Sequence, residues 1–198
     1  LKLAAREVGS IQIQNVGTIA GNLCNASPAA DGVPPLLALS AEVVLQSAGG
    51  ERVVGLADFI LGNRRTARAP GELVTAVRVP REAAAGTSHF VKLGARRYLV
   101  ISIAMAAARV VVGDEGKLAD VALSVGACSA VAMRLHALEE RLRGACTADD
   151  AARLVEAHDF AELMPIDDVR GSAEYRRRAA REIVLRALSG ALADGGKT

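Results

Sequence analysis

The chain predicts an α+β fold built on antiparallel sheets and divided into two parts, residues 1–84 and 85–198. Three observations predict it. Short runs alternating apolar and polar residues flank tight Gly-containing turns, as hairpin strands do. Arg81 to Thr87 is rich in Ala and Gly without a period, which marks a linker. After Arg134 the apolar spacing lengthens to threes and fours, placing Leu135, Leu138 and Leu142 on one helical face.

The elements follow in order. Leu1 to Arg6 reads as the tail of a helix, and an N-terminal portion is expected to precede it. Ser27-Pro28 and Asp31 are helix-opening residues, and Pro34-Pro35 ahead of Leu36 to Leu39 places a short helix there. Ala41 to Ser47 alternates as a strand, Ala48 to Glu51 turns, and Arg52 to Leu56 returns as its partner. Ala57 to Ile60 reads as a helical turn, and Glu72 to Val79 as a strand that stops at Pro80. Beyond the linker, Ser88 to Gly94, Ser102 to Val112 and Leu118 to Val125 read as three strands, with a tight hairpin over Gly113-Asp114-Glu115-Gly116-Lys117. Three helices close the chain: one from Arg134, one over Ala148 to His158 opened by Thr147 or Asp149, and one over Ser172 to Leu192 capped by Ser172, with Glu174 to Arg178 on its outer side.

Composition narrows the function. Lys plus Arg number 24 against 22 for Asp plus Glu, so no broad nucleic-acid footprint is implied. With 51% hydrophobic residues and no Trp, the core must be aliphatic. Cys24, Cys128 and Cys146 lie far apart with no Cys-x-x-Cys, which speaks against zinc or iron–sulfur ligation and for buried free thiols in a reducing cytoplasm. The most apolar run, Leu99 to Val112, is broken by Ser102 and Arg109 and is too short to cross a bilayer. His89, His136 and His158 read as isolated, and Arg176-Arg177-Arg178 with Arg181 and Arg186 as a solvated face or a subunit contact.

The densest chemistry lies between Gln14 and Gly32. Thr18, Asn22, Asn25, Ser27 and Asp31 offer short hydrogen-bonding groups, while Gly17, Ala20 and Gly21 leave backbone amides open to a bulky, oxygen-rich ligand. A Gly/Asn-rich connector between two elements is the competing reading. The order Gly17-Thr18-Ile19-Ala20-Gly21-Asn22-Leu23, followed by Asn25-Ala26-Ser27-Pro28-Ala29-Ala30-Asp31, resembles the second flavin-binding segment of the molybdenum hydroxylase FAD subunits. This family includes xanthine dehydrogenase, aldehyde oxidoreductase and the medium subunit of aerobic carbon monoxide dehydrogenase. The likeness continues colinearly through Leu56-Ala57-Asp58-Phe59, Gly62 to Thr66, Pro70 to Val74, Phe90 to Arg97, Met133-Arg134-Leu135 and Ala173 to Arg177.

The resemblance implies the antiparallel-sheet part of a para-cresol methylhydroxylase-type FAD-binding domain, followed by a flavoprotein C-terminal domain of three strands and three helices. It implies that Thr18, Ile19, Ala20, Gly21 and Asn22 contact FAD, with Gly21 admitting the cofactor close to the main chain. Asp31 falls at the family's acidic FAD contact, with a helix N-cap as its other reading. Val74 falls at a position touching the flavin, or is a strand core residue. Lys92 falls beside the isoalloxazine ring, where a cation would stabilise the anionic reduced flavin, or is a solvated strand lysine. Three departures stand out: Gln14 replaces a common Arg or Lys, Ala20 replaces the first Gly of the pair, and the family's Gly-rich first FAD loop has no counterpart in this sequence. By implication, this FAD-binding subunit performs none of the substrate chemistry. It receives electrons from two [2Fe–2S] clusters on a small partner, fed by molybdopterin on a large partner, and passes them to NAD+, oxygen or a quinone in a cytoplasmic dimer of heterotrimers. A stand-alone flavin oxidoreductase of the same flavin fold, and a flavin-free docking module, are the alternatives.

Overall fold

The computed structural model describes residues 1–113, 116–145 and 148–195. Asp114 and Glu115 of the expected hairpin, Cys146, and the cap candidate Thr147 lie outside the described residues.

Three short helices open the chain: α1 (Lys2–Glu7), α2 (Ile11–Val16) and α3 (Ile19–Asn25). Local caps set the starts of α2 and α3, since Ser10 Oγ accepts from the Ile13 N–H at 3.4 Å and Thr18 Oγ1 from the Gly21 N–H at 2.9 Å. A fourth, α4 (Val33–Ala38), carries prolines in its first turn and is buried along its whole length. Its N-cap is Gly32, with no side-chain cap, so Asp31 does not serve as the expected cap.

β1 (Glu42–Ser47) and β2 (Gly50–Gly55) form the expected hairpin, closed at Ser47 opposite Gly50. α5 (Leu56–Phe59) follows, then a small ladder of β3 (Ile60–Gly62) and β4 (Arg65–Thr66), which the sequence did not signal. β5 (Leu73–Arg78) pairs antiparallel with the other side of β1, giving the order β2-β1-β5. Val43 and Leu45 of β1 point inward against Leu23, Leu36, Leu56 and Phe59, as period-two alternation requires. Before β5, Arg52 grips Glu72 through two bonds of 2.6 and 2.8 Å, and the Ala69 N–H adds a third at 2.6 Å. The Arg52 hydrogen bond first, then the Ala69 amide, hold the Glu72 carboxyl down at about 2.

The second sheet is antiparallel in the order β6 (Thr87–Leu93), β7 (Ala104–Val112), β8 (Leu118–Gly126) and β9 (Met133–Arg134). The expected three strands therefore gain a two-residue fourth, because Met133 and Arg134 pair with Val125 and Ser124 before the helix begins. The strand expected over Ser102 to Val112 becomes β7, with residues 99–103 irregular. Its continuous apolarity has a physical reason: both faces are covered. Ala104, Ala106, Ala108 and Val110 meet the helical layer, while Met105 and Ala107 on the opposite face meet Ala38, Ala4 and Phe90.

The helical layer comprises α6 (His136–Leu142), α7 (Ala148–Glu156) and α8 (Ala173–Gly195). Ser172 caps α8 as expected, accepting from the Tyr175 N–H at 3.1 Å. Ala180, Ile183, Val184, Ala187, Leu188 and Ala191 form its buried stripe across β6 and β7. Arg176, expected on the outer side, is instead buried. Its guanidinium donates to Ile103 O at 2.6 Å, Ala127 O at 2.9 Å and Asp168 Oδ1 at 2.6 Å, so it works as a tertiary clamp between helix, sheet and loop. The Asp168 carboxyl is held at about 2, chiefly by the Arg170 N–H and, against some desolvation, by Arg176.

Polar contacts from the second sheet lock α4 in place. Ser124 Oγ donates to Pro34 O at 2.6 Å, Arg109 Nε to Ala38 O at 3.3 Å and Arg134 Nη1 to Leu37 O at 3.3 Å. Arg134 is itself held by the buried Glu139 at 2.6 and 2.8 Å. No described helix is long and apolar enough to cross a membrane.

Candidate functional site

α1, α2, the start of α3 and the turn into α4 surround a groove of about 660 Å³, within the range of small-molecule and cofactor sites. Val8, Ile13, Val16, Ile19 and Leu36 supply apolar lining, with Lys2 and Arg6 adding positive charge. Thr18, Gly21, Asn22 and Gly32 line it as well. α2 buries none of its residues: Ile11 is 67%, Ile13 51% and Val16 80% exposed.

The groove is built for close approach. A methyl group on Gly32 would stand 2.8 Å from Asn22 Oδ1, and one on Gly21 would stand 3.0 Å from Thr18 Oγ1. Asn22 Oδ1 is buried and has no hydrogen-bond partner within the chain. A buried amide oxygen left unpaired costs about 1–3 kcal/mol, so a donor from a ligand fits this atom. Small residues, an unpaired amide and two cations match the needs of a dinucleotide: room at the backbone, partners for hydroxyls and positive charge for a pyrophosphate.

The structure brings some of the expected residues together and sets others apart. Thr18, Ile19, Gly21 and Asn22 line the groove, whereas Ala20, Asp31, Val74 and Lys92 do not. Asp31 and Lys92 find each other. Lys92 Nζ donates to Asp31 Oδ2 at 2.7 Å and to Glu7 O at 3.1 Å, and Ser102 Oγ donates to Asp31 Oδ1 at 2.7 Å. Both side chains are more than nine-tenths buried, so the solvated-lysine reading of Lys92 is overturned. The pair stands one residue away from the groove on both sides, since Asp31 precedes Gly32 and Glu7 lies between Arg6 and Val8. Val74 sits half-buried on β5, packed against the first core cluster.

Sequence reasoning missed the contribution of α1 and α2 to the groove; the exposed Ile11, Ile13 and Val16 were its available signal. Gln14, noted for replacing a cation, ties those helices together by donating to Arg6 O at 3.2 Å and Val8 O at 3.0 Å. The histidines are not all isolated. His158 Nε2 lies 2.9 Å from Glu162, and His136 Nδ1 lies 3.1 Å from Glu139. Cys24 is exposed, contrary to the expectation of buried thiols, while Cys128 is buried and burial pushes its thiol up to about 12, which makes it unreactive.

Residues 1–82 match the family described as the FAD binding domain in molybdopterin dehydrogenase, and residues 89–191 match the CO dehydrogenase flavoprotein C-terminal domain. The chain is 33% identical over 188 residues to the glyceraldehyde dehydrogenase medium chain of Sulfolobus acidocaldarius, covering 93% of this chain and 65% of that one. It is 39% identical over 145 residues to the nicotinate dehydrogenase FAD-subunit of Eubacterium barkeri, covering 72% of this chain and 49% of that one. Among solved structures, the carbon monoxide dehydrogenase of Hydrogenophaga pseudoflava lacking the Mo-pyranopterin moiety superposes with a TM-score of 0.87 at 28% identity, covering 96% of this chain and 66% of its counterpart. The chain thus spans between about half and two thirds of the length of these relatives.

Proposed function

Because the chain belongs to the FAD-binding subunits of the molybdenum hydroxylase family, we propose that it holds FAD along the groove beside α3 as the flavin-bearing part of such a complex. When bound, FAD supplies the redox centre that accepts electrons from [2Fe–2S] clusters on a small partner and delivers them to NAD+, oxygen or a quinone. A large partner carrying molybdopterin completes the complex, a cytoplasmic dimer of heterotrimers. The chain divides between residues 84 and 85, the first part supplying the groove and the second bracing it.

The roles of this chain's own residues follow from the groove. Thr18, Ile19 and Gly21 keep the backbone accessible beside the cofactor, and Ala20 preserves that slimness at the cost of one methyl. Asn22 offers its unpaired amide oxygen as the acceptor for a hydroxyl of the cofactor. Lys2 and Arg6 offset the pyrophosphate charge. Asp31 and Lys92 act as a charged pair that fixes Gly32 and the Glu7–Val8 edge, and so the spacing of the groove walls. Val74 supports α3 from β5, which packs against that helix.

The unpaired Asn22 Oδ1 in a groove of cofactor size is the observation that carries this reading. Titration of the purified chain with FAD, followed by flavin fluorescence, tests it. Wild-type protein should bind FAD, and Asn22→Ala should weaken binding roughly tenfold, the equivalent of about 1.4 kcal/mol for a lost hydrogen bond. Equal affinity in the two proteins would remove Asn22 from the site.

A further inference from the structure

Away from the groove, the connection between α7 and α8 gathers a second chemical cluster. After α7 ends at Glu156, the backbone turns sharply at Phe160, whose φ is 55°. His158 Nε2 then lies 2.9 and 3.2 Å from the two carboxylate oxygens of Glu162. One donor atom each from His158, Asp159 and Glu162 falls within 4.8 Å of the others, the one such grouping of three among the described residues. The imidazole is fixed in place, since the Phe160 ring meets it edge-on at 4.9 Å. Arg181 lies over the Phe160 ring and donates to His158 O at 3.2 Å, while Arg177 donates to Leu163 O at 3.4 Å. These arginines are engaged with backbone carbonyls, leaving the three side chains to face one another. Asp159 keeps one oxygen on the Ala161 N–H at 3.1 Å.

One imidazole nitrogen with two carboxylates is a donor set for a first-row divalent ion. Ligands about 2.0–2.2 Å from such an ion stand roughly 3–4 Å from one another, so the observed spread needs only a small contraction. We propose that His158, Asp159 and Glu162 bind one first-row divalent cation, of the kind Zn2+ represents, which clips the connection between α7 and α8. The ion takes the place of the His158–Glu162 hydrogen bond, offsets the two adjacent carboxylates, and leaves its remaining positions to water.

Calorimetric titration of the chelator-treated full chain with Zn2+ alone tests this, in a Cys24→Ser background that removes the exposed thiol. The expected result is one Zn2+ per chain. Glu162→Gln and Asp159→Asn, whose side chains lie outside the core, should each weaken binding tenfold or more, and His158→Gln should abolish it, with circular dichroism confirming the fold of each. Co2+ should give a visible absorption band that disappears in Glu162→Gln. The absence of saturable Zn2+ binding, or unchanged affinity in Glu162→Gln, would overturn the site.

Discussion

Asp31 and Lys92 are separated by 61 positions, yet each is the other's main partner. Either residue alone had two readings in the sequence, because a carboxylate can cap a helix and a lysine can sit in water. Burial gave them a role that neither reading named, a mutual ion pair: with side chains only 8% and 6% exposed, neither charge is stable without the other. Asp31→Ala leaves Lys92 with only the Glu7 carbonyl and should lower stability by about 3–5 kcal/mol, measured by urea unfolding. The double variant Asp31→Ala with Lys92→Met should recover part of that loss, because the stranded charge is gone. Additive losses would mean that the two side chains are not energetically coupled. The place of Thr18 and Asn22 on the groove was legible for a different reason, since both lie in one contiguous segment and Thr18 caps the helix that carries Asn22.

At the scale of elements, turn and cap chemistry made most of the antiparallel strands readable, and two-sided burial explains the alanine-rich β7. Gly86 shows how tightly β6 and β7 are joined. It enters β6 with φ 83°, and a methyl group there would stand 2.0 Å from the Val110 carbonyl oxygen. Gly86→Ala should therefore cost at least about 1–3 kcal/mol through backbone strain, with the loss of amide protection in hydrogen exchange centred on β6 and β7. Normal protection at that strand pair would show that the turn relaxes freely. The β3–β4 ladder and β9 escaped the sequence reading because two or three residues carry too little periodicity to register.

Across the whole molecule, two carboxylates that do not line the groove anchor loops. Glu72 and Asp168 titrate at about 2 in the folded chain, below their ordinary values of 4.5 and 3.8. A depressed carboxylate contributes its full stability above the unfolded value and loses it as the pH falls through the folded one. The melting temperature should thus hold above about pH 4.5 and fall progressively toward pH 2. Glu72→Gln should lower it at neutral pH and flatten the acid limb; an acid limb identical to wild type would assign the loss to other groups.

By itself, the sequence determined the α+β class, the order of most strands and helices, the flavoprotein family and the contiguous segment from which Thr18, Ile19, Gly21 and Asn22 line the groove. Those features reside in local patterning and contiguous motifs, which survive being read one residue at a time. Tertiary structure alone decided that Asp31 and Lys92 pair, that Arg176 turns inward, and that α1 and α2 wall the groove. Each of these depends on which distant surfaces exclude water from a charge or expose an apolar face, and desolvation is a property of the packed whole.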